Sequence, residues 1–142
     1  MKKRKLEAEF EYNFSLYGLI APHKEYKLAW LLNKQFGIQL EKVSDIEIEF
    51  LKNQDLLISN YLHKTEHSCF RMLRNKSVDP YADNLAFLIP ELKRFDYLII
   101  VKGYKDTYSD TEIKNLLSNL PKVQYVQKFV VDDLKSRENL IF

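Results

Sequence analysis

An α+β fold is what this sequence predicts: a mainly antiparallel sheet of six to eight strands, with two α-helices packed on one face. Three observations lead there. Many short segments alternate apolar and polar residues, the period of a half-buried strand. Only two segments carry a helical period, one early and one late. Between them, strand-like segments follow one another at hairpin distances, leaving no room for the crossover helices of a parallel sheet. The 142 residues fit a single domain, 1–142.

The elements follow in order. Leu6, Ala8, Phe10 and Tyr12 alternate with Glu7, Glu9 and Glu11, giving a first strand. At the apolar run Leu16-Tyr17-Gly18-Leu19-Ile20, either this strand continues with a bend at Gly18 or two strands meet there. Pro22 closes the run. His23 to Phe36 has a helical apolar face around Tyr26, Ala29, Trp30, Leu32 and Phe36, with Gly37 as the left-handed stop. Ile46, Ile48 and Phe50 alternate with Asp45, Glu47 and Glu49 in the next strand, and Asn53-Gln54-Asp55 is a turn. Leu56–Leu62 and Ser68–Leu73 form a hairpin about Lys64-Thr65-Glu66. Asn75–Asn84 reads as a polar loop. Leu85–Ile89 reads as a short strand cut off by Pro90, with one helical turn through Leu92 and Phe95. Tyr97–Val101 is continuously apolar and is the most deeply buried strand expected. Ser109-Asp110-Thr111-Glu112 is a capping box opening a helix that Pro121 stops, over about 109–120. Val123–Val130 alternates as a last strand.

Composition narrows the chemistry. The chain is 46% hydrophobic and 30% charged, so it can bury a core without disulfides or metal. Three glycines leave no Gly-rich phosphate loop. The net charge of +2 does not indicate a global nucleic-acid field. One cysteine, Cys69, cannot form an intrachain disulfide and is in keeping with a reducing compartment. Lys2–Lys5 begins like a signal peptide, but the alternating Glu7, Glu9 and Glu11 follow it instead of an apolar stretch. No apolar window reaches membrane-span length. A cytoplasmic protein is expected.

Four features could carry chemistry. His63-Lys64-Thr65-Glu66-His67 matches the H-x-x-E-H pattern of inverted zincins, in which two His bind zinc and the Glu is the base. That chemistry needs a helix, and the motif lies at a predicted hairpin turn, so exposed His63, Glu66 and His67 are the simpler expectation. Cys69 lies two residues from His67 in a strand, as a small hydrophobe would. Glu7, Glu9, Glu11, Glu47 and Glu49 would line one sheet face if their strands paired, most simply as a solvated face. Lys2–Lys5 could touch a phosphate backbone, and tyrosines could stack on single strands, but most aromatics fall at core positions.

The segment Ile89-Pro90-Glu91-Leu92-Lys93-Arg94-Phe95-Asp96-Tyr97 resembles the signature of the IPExxxDY family. Ile89, Pro90, Glu91, Asp96 and Tyr97 match its fixed positions. The ending Glu138-Asn139-Leu140-Ile141-Phe142 and the early helix after a Phe-rich strand are similar too. The resemblance spans nearly the whole chain and implies a bacterial family with no assigned activity, cofactor or partner. The residues themselves suggest an architectural role. Pro90 would end a strand, Glu91 would cap amides at a turn, and Asp96 would hold that turn from its other end. Tyr97 would give its ring to the core and its hydroxyl to a partner. A cleft with Glu91 and Asp96 as a carboxylate pair is the functional alternative.

Leu140, Ile141 and Phe142 are strongly apolar for a chain end, and either dock on the core or contact a partner. The expected function is therefore a non-enzymatic binding or assembly module without a cofactor, acting as a homodimer or with another protein. A metal-dependent hydrolase using His63, Glu66 and His67 and a weak nucleic-acid-binding protein are the alternatives.

Overall fold

The computed structural model describes residues 11–51, 54–78, 86–104 and 107–142. The first predicted strand, apart from Glu11 and Tyr12, and the basic Lys2–Lys5 lie outside these residues, as do Asn53 of the predicted turn and Leu85. Within them the chain runs β1 (Ser15–Ile20), α1 (Glu25–Phe36), β2 (Glu41–Leu51), β3 (Gln54–Lys64), β4 (Cys69–Arg74), β5 (Tyr97–Lys102), α2 (Asp110–Ser118) and β6 (Tyr125–Phe129). Short 3-10 turns cover Pro90–Leu92, Val131–Asp133 and Arg137–Leu140.

The six strands form one sheet in the order β2-β3-β4-β5-β1-β6, and every neighbouring pair is antiparallel. The fold is α+β, as the patterning predicts. The first strand inserts between two late ones: Tyr17 lies opposite Ile99 on one side and Lys128 on the other. β5 is buried from Tyr97 to Val101, which is why its sequence is continuously apolar.

Both helices lie on one face of the sheet. Leu28, Leu32 and Phe36 of α1 and Ile113 and Leu117 of α2 bury Tyr17, Leu19, Phe70, Met72 and Ile99. Helix α1 stops at Gly37, which adopts the left-handed conformation at φ 65°. Helix α2 starts with the expected capping box: Ser109 Oγ accepts from the Glu112 amide, and Glu112 accepts from the Ser109 amide.

Among the described residues the opposite face is closed without an α-helix. Leu88, Ile89, Leu92 and Phe95 from the β4–β5 connection, with Val131, Leu134 and Leu140 from the C-terminal segment, cover Leu16, Leu73, Leu98 and Ile100. Of the strand expected over Leu85–Ile89, the described residues 86–89 form none. Only an isolated bridge joins Phe87 to Lys76. The amides of Leu88 and Ile89 are instead taken by the carbonyl and side-chain oxygens of Asn75. Nor does Gly18 bend its strand, since β1 pairs without a register shift on both sides. It is glycine because an added Cβ would lie 2.7 Å from Phe95 and 2.8 Å from Phe129. Among the described residues no helix is long and apolar enough to cross a membrane.

Candidate functional site

The segment 89–97 and the chain it touches form a densely hydrogen-bonded polar constellation. Its centre is Asn75, which sequence patterning places in a polar loop. Asn75 is fully buried at the end of β4. Its Nδ2 donates to the carbonyl of Leu92 at 2.9 Å, and to those of Ile89 and Phe95 at 3.4 Å. Its Oδ1 accepts from the Ile89 amide at 2.9 Å. Its own amide donates to the Asp96 carbonyl at 3.0 Å. One side chain thus ties together main-chain groups before, within and after the 3-10 turn, and the Ile89 amide would lose its partner without it, at a cost of about 1–3 kcal/mol.

The signature residues then clamp this segment to two distant parts of the chain. Glu91 accepts from the Ser136 amide at 2.7 Å and the Ser136 hydroxyl at 2.8 Å. Burial pushes its carboxyl up. The hydrogen bonds from its own amide, from Ser136 and from Lys135 outweigh this and hold the pKa below the ordinary value. Asp96 does not hold the turn from its far end, as expected. Its Oδ2 accepts from the Ala21 amide at 2.9 Å, where Pro22 ends the ladder of β1. Tyr97 buries its ring and donates its hydroxyl to the His23 carbonyl at 2.5 Å. Burial, with smaller contributions of both signs from neighbouring charges, pushes its phenol up to about 12. Glu91 and Asp96 therefore serve different segments and do not form a carboxylate pair. Ile89 is fully buried, and Pro90 opens the 3-10 turn, where an amide is not needed.

Tyr97 also forms part of a cleft of about 480 Å³ where β1 leads into α1. His23, Lys24, Glu25 and Tyr26 line one side, and Tyr61 and Arg74 the other. Glu25 accepts from the Ser59 hydroxyl and, at 3.3 Å, from Arg74. Burial and the Glu25 charge raise the Tyr61 phenol, with Lys42 opposing. At neutral pH Tyr61 and Tyr97 therefore stay protonated, and Glu25 pairs with Arg74. That is chemistry for holding a ligand or partner group.

A second cleft, of about 310 Å³, opens between the start of α2 and the sheet. Asp110 Oδ1 accepts from Ser15 and Tyr17, both at 3.0 Å, and Oδ2 from Lys128 at 2.8 Å. The Lys128 bond, opposed by partial burial and aided by the two hydroxyls, lowers the Asp110 pKa. Burial first, then the Asp110 bond and charge, raise that of Tyr17.

The other expected sites fall as follows. His63 is the last but one residue of β3, and its Nδ1 accepts from the Gln39 amide at 3.2 Å. Glu66 and His67 stand exposed in the turn, tied by Thr65 and Ser68. The five residues thus span a hairpin and lack the helical spacing that zinc ligation by this motif requires. Among the described residues no three His, Cys, Asp or Glu side chains gather as a metal-ligand set. Glu47 lies on β2, which pairs with β3 alone among the described strands, and Glu7 and Glu9 fall outside them. The tail splits. Leu140 is buried under the second face and is unavailable to a partner, which corrects that part of the expectation. Ile141 is half-buried, and Phe142 is exposed with the Arg71 guanidinium 5.2 Å from its ring. Comparison of the chain with protein-family models, with curated proteins and with solved structures returned no match.

Proposed function

We propose that this chain is a binding or assembly module without catalytic chemistry of its own, related to the bacterial proteins that its 89–97 segment resembles. It acts through protein–protein contacts, and a second copy of itself is the first partner to test. The observation that carries the reading is the contrast between the two edges of the described sheet. Edge strand β2 has two register shifts and presents Glu41, Lys42, Asp45 and Glu47, devices that discourage pairing. Edge strand β6 pairs without a register shift, and Tyr125 at its start and Val130 just past its end stand 46% and 63% exposed. An antiparallel β6–β6 contact about a two-fold axis would bury both and continue the sheet. The polar residues of the signature support the same reading, because their hydrogen bonds are used inside the fold. Cys69, an unpaired thiol in β4, fits a reducing, cytoplasmic setting.

Size-exclusion chromatography with light scattering tests this. The wild-type chain is expected to dimerise, and Val130→Lys to run as a monomer with unchanged thermal stability. A wild-type chain that stays monomeric at every concentration removes the self-assembly part of the proposal.

A further inference from the structure

The outer face of α1 exposes aromatic and basic side chains side by side. Tyr26 and Trp30 are 68% and 48% exposed, although both were expected on the helix's apolar face. Around them Lys24, Lys27 and Lys34 are exposed. The Lys27 and Lys34 ammoniums lie 4.6 Å and 4.1 Å from the centroid of the Trp30 ring. The single acid of the helix, Glu25, is turned away into its bonds with Arg74 and Ser59. The face is therefore a cationic strip one helix wide, with two aromatic rings one turn apart.

We propose that this strip is a binding surface for single-stranded nucleic acid, a property beyond the assembly role argued above. Phosphates would take the three ammoniums, and bases would stack on Tyr26 and Trp30. Stacking of a base on an aromatic ring is stronger than an exposed cation–π contact. A base can thus displace either flexible lysine from the indole, and the displaced ammonium can follow the neighbouring phosphate. The width of the strip favours a strand over a bilayer. All five side chains belong to α1 or to Lys24 just before it, so an extended strand following the helix can reach each of them. The small net charge of +2 does not oppose this, since the positive charge is local to one face.

Trp30 is the single tryptophan of the chain, so its emission reads this face directly. The experiment titrates the full chain with short oligo(dT) and oligo(U) at roughly 50 mM salt, following Trp30 quenching and, for variants, the anisotropy of a labelled oligonucleotide. Saturable quenching is expected, weakening as salt rises. Trp30→Ala should lower affinity about tenfold, and Trp30→Phe should restore most of it. Lys27→Gln with Lys34→Gln should weaken binding and flatten its salt dependence. All these positions are exposed, and circular dichroism confirms that each variant folds. No quenching by either oligonucleotide overturns the proposal. So does equal binding of polyglutamate, which has charge but no bases and would point to an acidic protein partner. Tighter binding to vesicles of phosphatidylglycerol and phosphatidylcholine also overturns it, in favour of a membrane surface.

Discussion

The Asp96 carboxylate accepts a hydrogen bond from the main-chain nitrogen of Ala21 at 2.9 Å, across 75 residues of sequence. The Asp96 amide donates to the Leu19 carbonyl at 2.8 Å, so the pair splices the entry to β5 onto the exit of β1. The next residue, Tyr97, reaches the His23 carbonyl two positions further along. Together these bonds fix where β1 stops and where α1 begins, and so shape the cleft between them.

Replacing Asp96 by Ala leaves the Ala21 amide without its partner in a half-buried site. A loss of about 2 kcal/mol is expected, read as a fall in Tm of roughly 8 °C. Asp96→Asn keeps an acceptor oxygen and should lose less than half as much. Thermal unfolding of the two variants checks this, and equal losses would show that the carboxylate charge, not the bond to Ala21, is what matters.

Asn75 makes a sharper prediction, because its amide group is used on both sides. Asn75→Asp preserves the acceptor for Ile89 and puts an anionic oxygen against the carbonyls of Ile89, Leu92 and Phe95. Asn75→Asp should therefore cost more than about 3 kcal/mol at neutral pH. Part of the loss should return as the pH falls and the acid regains a proton that it can donate. Chemical denaturation of Asn75→Asp and Asn75→Ala at neutral and mildly acidic pH checks both points. A mutant deficit independent of pH would contradict the donor role.

Asn75 also shows where sequence patterning stops working. β5, the capping box at Ser109 and the stop at Gly37 were legible because each is encoded by neighbouring residues: an apolar run, a four-residue motif, a glycine after a helical stripe. Asn75 acts on carbonyls 14–20 residues away, and nothing in its neighbours distinguishes it from a loop residue. Gly18 misled for the same reason. A glycine in a strand suggests a bend, but here it makes room for Phe95 and Phe129, whose rings meet edge to face 5.1 Å apart. The place of β1 between β5 and β6 was equally hidden, since alternation assigns a strand its faces and not its neighbours. Within the signature, the architectural reading of Tyr97 was legible from an aromatic that begins a buried run. The partners of Glu91 and Asp96 were not, because both lie in other parts of the chain.

The acid limb of stability follows from two of these carboxylates. Glu91 and Asp110 both have folded-state pKa values below their ordinary ones. A lowered carboxylate pKa stabilises the fold fully above the unfolded value, about 4. That contribution is lost as pH falls through the folded value, because the unfolded chain takes up the proton first. Stability should therefore decline below about pH 4–5, and the two sites contribute through different contacts: Glu91 through the Ser136 clamp on the C-terminal segment, Asp110 through Ser15, Tyr17 and Lys128. Asp110 is half-exposed, so its share should shrink with added salt, while that of Glu91, made largely of amide bonds, should shrink less. Thermal unfolding from pH 7 to pH 3 should show Glu91→Gln and Asp110→Asn starting below the wild type and converging on it as the acid is added. Curves that stay parallel to the wild type over that window would place the acid sensitivity elsewhere in the molecule.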